Sequence, residues 1–173
     1  MSARTPLPPF PNGWFGLADS ASLPVGARQP TRAFGRDLVL SRRQDGEARL
    51  EDAGGGERRS WPVEERNGVV LAWHHARREA PLWHVPELSE WSAPGWTAPV
   101  LRRFRVRAHC QEMAENVVDD AHFRYVHGTL TKPESSAEID GPVFRAVQRM
   151  TAGPAQGSFA GRLAPERFGF GLG

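Results

Sequence analysis

The 173-residue chain holds a single cysteine, Cys110. One thiol can build neither a disulfide framework nor a thiolate cluster within the chain, which excludes the stapled folds of small secreted proteins and predicts a reducing, cytoplasmic setting. Charge of one sign is scarce as well, with 22 Lys and Arg against 20 Asp and Glu and a formal net charge of +2. The basic residues fall in scattered doublets, Arg42-Arg43, Arg58-Arg59, Arg77-Arg78 and Arg102-Arg103. That is the pattern of a solvated strand or turn surface, not of a phosphate track, and nucleic acid is not an expected partner. No apolar run in Met1–Phe10 is long enough for a signal peptide, and nothing later approaches a membrane span. The Gly54-Gly55-Gly56 tract precedes no helix and no Lys-Ser/Thr pair, so it is not a P-loop.

What is present is mostly strand-like. Pro6, Pro8, Pro9 and Pro11 keep the start extended, and Pro11-Asn12-Gly13 is a turn signal before Trp14. Thr31–Phe34, Asp37–Leu40 and Glu47–Leu50 are separated by turns expected at Gly35-Arg36 and Asp45-Gly46, a β-meander signature. Arg59–Val63 and Val69–Trp73 resume it on either side of Asn67-Gly68, the strongest hairpin turn in the chain. Between 76 and 99, Pro81, Pro86, Pro94 and Pro99 alternate with Trp83, Trp91 and Trp96. This excludes a regular helix and predicts a linker, over 81–99, that packs through its rings. Val100–Ala108 alternates like a strand, Met113–Val126 lacks Gly and Pro and reads as one helix, and a polar loop is expected from Gly128 to Asp140-Gly141. Strand-like segments follow at Val143–Met150, Ser158–Leu163 and Arg167–Gly173. The fold class is α+β, with 1–80, 81–99 and 100–173 as its divisions.

Metal-competent side chains concentrate in one run, Asn116-x2-Asp119-x2-His122-x4-His127. Two imidazoles and a carboxylate make up most of a mononuclear iron site. At helical spacing Asn116, Asp119 and His122 form one stripe while Asp120 points away, so Asp119 can reach the His122 ring or the backbone beside it. His127 lies about 140° round the helix from His122, and both can touch one ion only where the helix ends, which Gly128 marks. The other histidines are weaker candidates. His74 and His75 face opposite ways on a strand, His84 sits among packing residues, and His109-Cys110 reads as partly buried structure. A zinc hydrolase built on His122 and His127 would lack its H-E-x-x-H general base.

The run Met113–Thr129 resembles the mononuclear-iron motif of the Rieske non-haem iron oxygenases, in the branch of ketosteroid 9α-hydroxylase and cholesterol 7-desaturase. Pro11–Ala53 is similar to the opening strands of a Rieske domain, and Ser60–His75 to its close. The resemblance implies an antiparallel β-rich remnant of a Rieske domain, then the first part of a helix-grip, START-like catalytic domain. It implies His122 and His127 as ligands of a mononuclear Fe(II), Asp119 as the acidic bridge for electrons, and Asn116 as a neighbour of the site. It implies O2 chemistry on a hydrophobic, steroid-like substrate, with a reductase or ferredoxin as electron donor and a homo-oligomeric assembly, trimeric in the family. The family's [2Fe-2S] centre takes two Cys and two His, in C-x-H and C-x2-H motifs that are absent here. Several dozen family residues are therefore expected to be missing between Ala53 and Ser60, and the third iron ligand of the family, a late aspartate, has no counterpart before Gly173. The alternative expectation is an inactive shortened homologue that binds a hydrophobic ligand or associates with intact oxygenase subunits.

Overall fold

Short runs of alternating apolar and polar residues, each closed by a turn residue, become seven strands between Gly13 and His74. The computed structural model describes residues 7–54, 59–97, 102, 104–126, 131–149 and 168–170. They fall into two compact units that part between Arg105 and Val106.

The first unit contains β1 (Gly13–Asp19), β2 (Arg28–Ala33), β3 (Arg36–Arg42), β4 (Ala48–Asp52), β5 (Ser60–Trp61), β6 (Val63–Arg66) and β7 (Val69–His74). All pairings are antiparallel, in one sheet of order β1-β7-β6 and another of order β2-β3-β4-β5. The meander is thus as expected, and Pro62, which has no N–H to donate, carries the chain from one sheet to the other. Period-two alternation sends Leu38, Leu40, Ala48, Leu50, Val70 and Ala72 inward, where they form one core with Ala18, Leu23 and Trp61.

Two hairpins turn on paired left-handed residues. Asn67 and Gly68 have φ of 50° and 70°, the geometry whose twist matches that of the flanking strands. The first hairpin turns on Phe34 and Gly35, φ 54° and 69°, one residue earlier than the expected Gly35-Arg36. A bulky residue in that region is unfavourable by itself. It is held because the Phe34 ring stacks on Trp61 at 4.9 Å and meets Phe15 edge-on at 5.2 Å and His74 at 4.9 Å. Phe10, from the proline-rich start, adds its ring to Phe34 and His74, so the extended segment closes over this cluster.

Of the rings in the Pro/Trp-rich segment Trp83 and Trp91 pack on the first unit, while Trp96 is 66% exposed. Trp83 meets Trp73 edge-on at 5.8 Å, and its carbonyl accepts from Trp14 Nε1 at 2.8 Å. Asn67 donates to the Pro86 carbonyl and accepts from Leu88 N, both at 2.9 Å. Trp91 lies over the hairpin so closely that a Cβ on Gly68 would sit 2.1 Å from its ring. Gly68→Ala therefore meets both a left-handed backbone and an occupied space, and is expected to destabilise the first unit by about 2 kcal/mol. A urea midpoint equal to that of the wild type would refute the Trp91 placement.

The second unit holds α1 (Cys110–Val118), α2 (Asp120–Tyr125) and the strands β8 (Glu134–Asp140), β9 (Val143–Arg149) and β10 (Phe168–Phe170), in antiparallel order β10-β9-β8. Three expectations change here. Residues 134–140, read as polar loop, are β8, because Gly141 (φ 54°) turns the chain so that Glu134–Asp140 pair residue for residue with Val143–Arg149. A strand exposed along its whole length, as β8 is, carries no alternation by which to find it. Residues 102 and 104–108 form no strand, since no described strand pairs with them, and Phe104 is left 79% exposed. The single helix over Met113–Val126 is two helices broken at Asp119. The expected strand at Ser158–Leu163 lies outside the described residues.

Candidate metal centre

α1 is capped by His109, whose Nδ1 accepts from Gln111 N at 3.2 Å, and Gln111 donates to Glu115 one turn on at 3.0 Å. It stops at Asp119, whose ψ of 94° is extended backbone. The local sequence explains the stop. Val117 and Val118 are β-branched, and the next residue is an aspartate, which is better satisfied at a helix N-terminus than inside a helix. Asp119 Oδ1 accepts from Ala121 N at 3.0 Å and so caps α2.

The break changes the expected stripe. The Asp119 carboxylate is folded back on the start of α2, and it is the Asp119 carbonyl that meets His122 Nδ1, at 3.0 Å. A carbonyl can only accept, so Nδ1 carries a proton, and in the neutral ring the lone pair is on Nε2. This tautomer is the one a metal-ligating histidine adopts when its other nitrogen is fixed by a backbone oxygen. The ring is half-buried beside Phe123, with centroids 4.4 Å apart. Asn116 lies in the last turn of α1, and its side chain, like the whole of His127, lies outside the described residues.

Asp120 does more than point away. Its Oδ1 accepts from Ser135 Oγ on β8 and from Gln148 Nε2 on β9 at 3.3 Å, and its Oδ2 lies 3.6 Å from Lys132 Nζ. An acidic residue in a first helical turn was the only trace of this in the sequence, because its partners lie 12 to 28 residues away. Sequence reasoning also missed Arg42, which belongs to a doublet read as solvated but is 12% exposed, in a bidentate pair with Glu65.

The histidines of the first unit serve the fold. His74 Nδ1 contacts the Pro11 carbonyl at 3.0 Å within the aromatic cluster. His75 is buried, and its Nδ1 accepts from Glu79 N at 3.2 Å. His84, expected among packing residues, is instead 82% exposed, with its Nδ1 3.2 Å from Glu64. Among the described residues no three His, Cys, Asp or Glu side chains come together to hold a metal. His122, with its nitrogens differentiated, fits one position of a mononuclear site. The residues do not fit a [2Fe-2S] Rieske centre, which takes two thiolates where the chain has one, Cys110 at the start of α1.

Residues 72–167, more than half of the chain, match the family model of the 3-ketosteroid 9α-hydroxylase C-terminal domain. The chain belongs to this family of Rieske oxygenases. Its similarity to the cholesterol 7-desaturase of Bombyx mori is 30% identity, covering 75% of this chain and 38% of the relative. A probable 3-ketosteroid-9-alpha-monooxygenase oxygenase component of Rhodococcus rhodochrous is 43% identical over 72 residues, 40% of this chain and 18% of the relative. The chain thus spans little more than a third of the Bombyx relative and less than a fifth of the Rhodococcus one. The Bombyx alignment runs over 177 residues while using 75% of 173, which requires several dozen gapped positions in this chain. Among solved structures, dicamba monooxygenase bound to dicamba superposes with a TM-score of 0.55 at 15% identity, covering 82% of this chain and 58% of that one. The same enzyme solved with non-heme iron gives 0.53 at 14% identity, covering 79% and 53%. The likeness supports the fold of this 3-ketosteroid 9α-hydroxylase family member, a β-rich architecture with few helices. No helix among its described residues is long and apolar enough to cross a membrane.

Proposed function

We propose that the chain carries the mononuclear-iron half-site of a Rieske-type oxygenase acting on a steroid-like hydrophobic substrate. Residues 1–80 would be a Rieske-like β unit without cluster loops, 81–99 its connection, and 100–173 the first part of a helix-grip iron domain. His122 and His127 would hold Fe(II), with Asp119 and Asn116 beside them on the path of an electron delivered by a separate reductase or ferredoxin. The observation that carries this reading is the His122 imidazole, fixed by the Asp119 carbonyl within a segment that matches the family.

Bound Fe(II) would supply O2 activation for attack on an unactivated C–H bond. The chain's own part is to keep His122 in the Nδ1–H tautomer, to hold the carboxylate of Asp119 at the start of α2, and to shelter the ring beside Phe123. Anaerobic titration with Fe(II) should show one site per chain, weakened about 100-fold or more in His122→Ala. Equal retention of iron by that variant would overturn the assignment.

A second reading, an inactive homologue that associates with intact oxygenase subunits or takes a hydrophobic ligand, draws on the single cysteine and on the second unit. Tyr125 and Ile139 there are 82% and 78% exposed, and β8 is exposed throughout. It predicts co-elution with an intact α-subunit or tritiated-steroid binding that survives His122→Ala.

A further inference from the structure

α2 is only six residues long, too short to be stable alone, and its two caps fix its ends without fixing its rotation. Rotation needs a tether to the rest of the unit. Asp120 supplies one, because Ser135 and Gln148, the two donors to its Oδ1, are direct register partners across the β8–β9 ladder. Cross-strand partners place their side chains on the same face of a sheet, so one carboxylate grips a pair of residues already aligned with each other. Lys132 Nζ, 3.6 Å from Oδ2, completes the setting, and the Asp120 side chain is 22% exposed. A residue two positions on is turned roughly 200° about a helix axis. Holding Asp120 against β8 and β9 therefore sets the direction in which the His122 ring leaves α2.

We infer that Asp120 is a positioning residue for the metal centre: its clasp on the Ser135–Gln148 pair orients α2 and thereby aims His122. This rests on the reading of His122 as a ligand. It assigns a task to the second aspartate of the Asp119-Asp120 pair, and to Ser135 and Gln148, outside the Asn116–His127 run.

The test uses the full chain and Co(II) under anaerobic conditions, reading affinity and the visible ligand-field spectrum, with far-UV circular dichroism as a control for folding. Asp120→Ala should weaken Co(II) about tenfold or more and change the spectrum, as loss of an outer support of a metal ligand does. Asp120→Asn, which keeps an Oδ1 acceptor for Ser135 and Gln148, should recover most of that affinity. Ser135→Ala and Gln148→Ala should each weaken Co(II) alone but add little in the Asp120→Ala background, because the three act as one unit. Should Asp120→Ala lose its helical signal, the two single variants on the sheet decide the question: wild-type affinity and spectrum in both would overturn the inference. Wild-type Co(II) binding by folded Asp120→Ala, with binding lost in His122→Ala, overturns the inference and leaves the metal reading standing. Binding retained by His122→Ala overturns the metal reading itself, and the inference with it.

Discussion

Arg42→Ala is expected to destabilise the first unit by about 3 kcal/mol, far more than a surface arginine at a strand end would. Arg42 closes β3, and its guanidinium has no idle donor. Nε donates to the Leu23 carbonyl at 2.6 Å, Nη1 to the Gly46 carbonyl and Glu65 Oε2 at 2.8 Å each, and Nη2 to Glu65 Oε1 at 3.1 Å and the Ser20 carbonyl at 3.3 Å. Five bonds thus tie β3, the 43–47 turn and the Ser20–Leu23 loop to β6 of the other sheet. Truncation would leave the Leu23 and Gly46 carbonyls and the Glu65 carboxylate without this donor, while the Ser20 carbonyl keeps Leu23 N, and leaving such groups unpaired costs more than forming each bond gains. Arg42→Lys keeps the charge without the planar fork and should restore less than half of the loss. All six tryptophans of the chain, at 14, 61, 73, 83, 91 and 96, belong to the first unit, so tryptophan emission in urea follows its unfolding without interference from the second. A midpoint shift equivalent to less than about 1 kcal/mol would show the cluster to be decorative.

The same cluster fixes the sign of a pH effect. The hydrogen bond from Arg42, opposed by burial, holds the Glu65 carboxyl below its ordinary range. A carboxyl depressed in the folded state contributes fully above its unfolded pKa, and the contribution disappears as pH falls through the folded value. The gap between wild type and Glu65→Gln should therefore be widest near neutrality and close progressively below about pH 4. Glu65 is 37% exposed, which keeps the effect modest.

Leu50→Ala should cost about 3–4 kcal/mol, enough to leave a unit of this size close to unfolding. Leu50 is fully buried in β4, directly across from Leu40 on β3 and from Trp61 on β5. Neither neighbour can close the space, since Leu40 is itself at 0% exposure and Trp61 is held by the Phe34 stack and by the Arg59 guanidinium 3.9 Å above its ring. Ile139→Ala on exposed β8 removes a comparable side chain and should change stability by less than about 0.5 kcal/mol. A Leu50→Ala midpoint shift equivalent to less than about 1 kcal/mol, read by tryptophan emission, would contradict the described core.

What the sequence disclosed was whatever is encoded within a few residues. Asn67-Gly68 names its own hairpin because few residue pairs tolerate two left-handed conformations, and Leu38–Leu40 names a buried face by alternation. The Asn116–His127 run could be found because its spacing is local. The helix break at Asp119 was hidden for a different reason: the absence of Gly and Pro permits a continuous helix but does not compel one, and an aspartate after two valines is content as a cap. Arg42 and Asp120 were illegible because their partners stand 4 to 28 residues away on elements whose placement the local sequence does not state. Read by type alone, each was an ordinary charged residue on a surface.

The β4–β5 connection has a consequence for how such a chain can vary. Leu50 pairs with Trp61 and Glu51 with Ser60, so residues 53–59 join in sequence two antiparallel neighbours that are held by the core. Such a connection is a place where a polypeptide can gain or lose a long insertion at a cost that grows only with the logarithm of length, about 0.6 kcal/mol per doubling. Between seven residues and several dozen there are about three doublings, roughly 2 kcal/mol, less than the packing around Leu50 alone contributes. The strand framework can therefore tolerate a longer excursion at that joint. Grafting such an excursion between Ala53 and Ser60 should lower the tryptophan-monitored stability of the unit by no more than about 2 kcal/mol, which makes the joint a socket that could accept a cluster-binding loop without unfolding the scaffold.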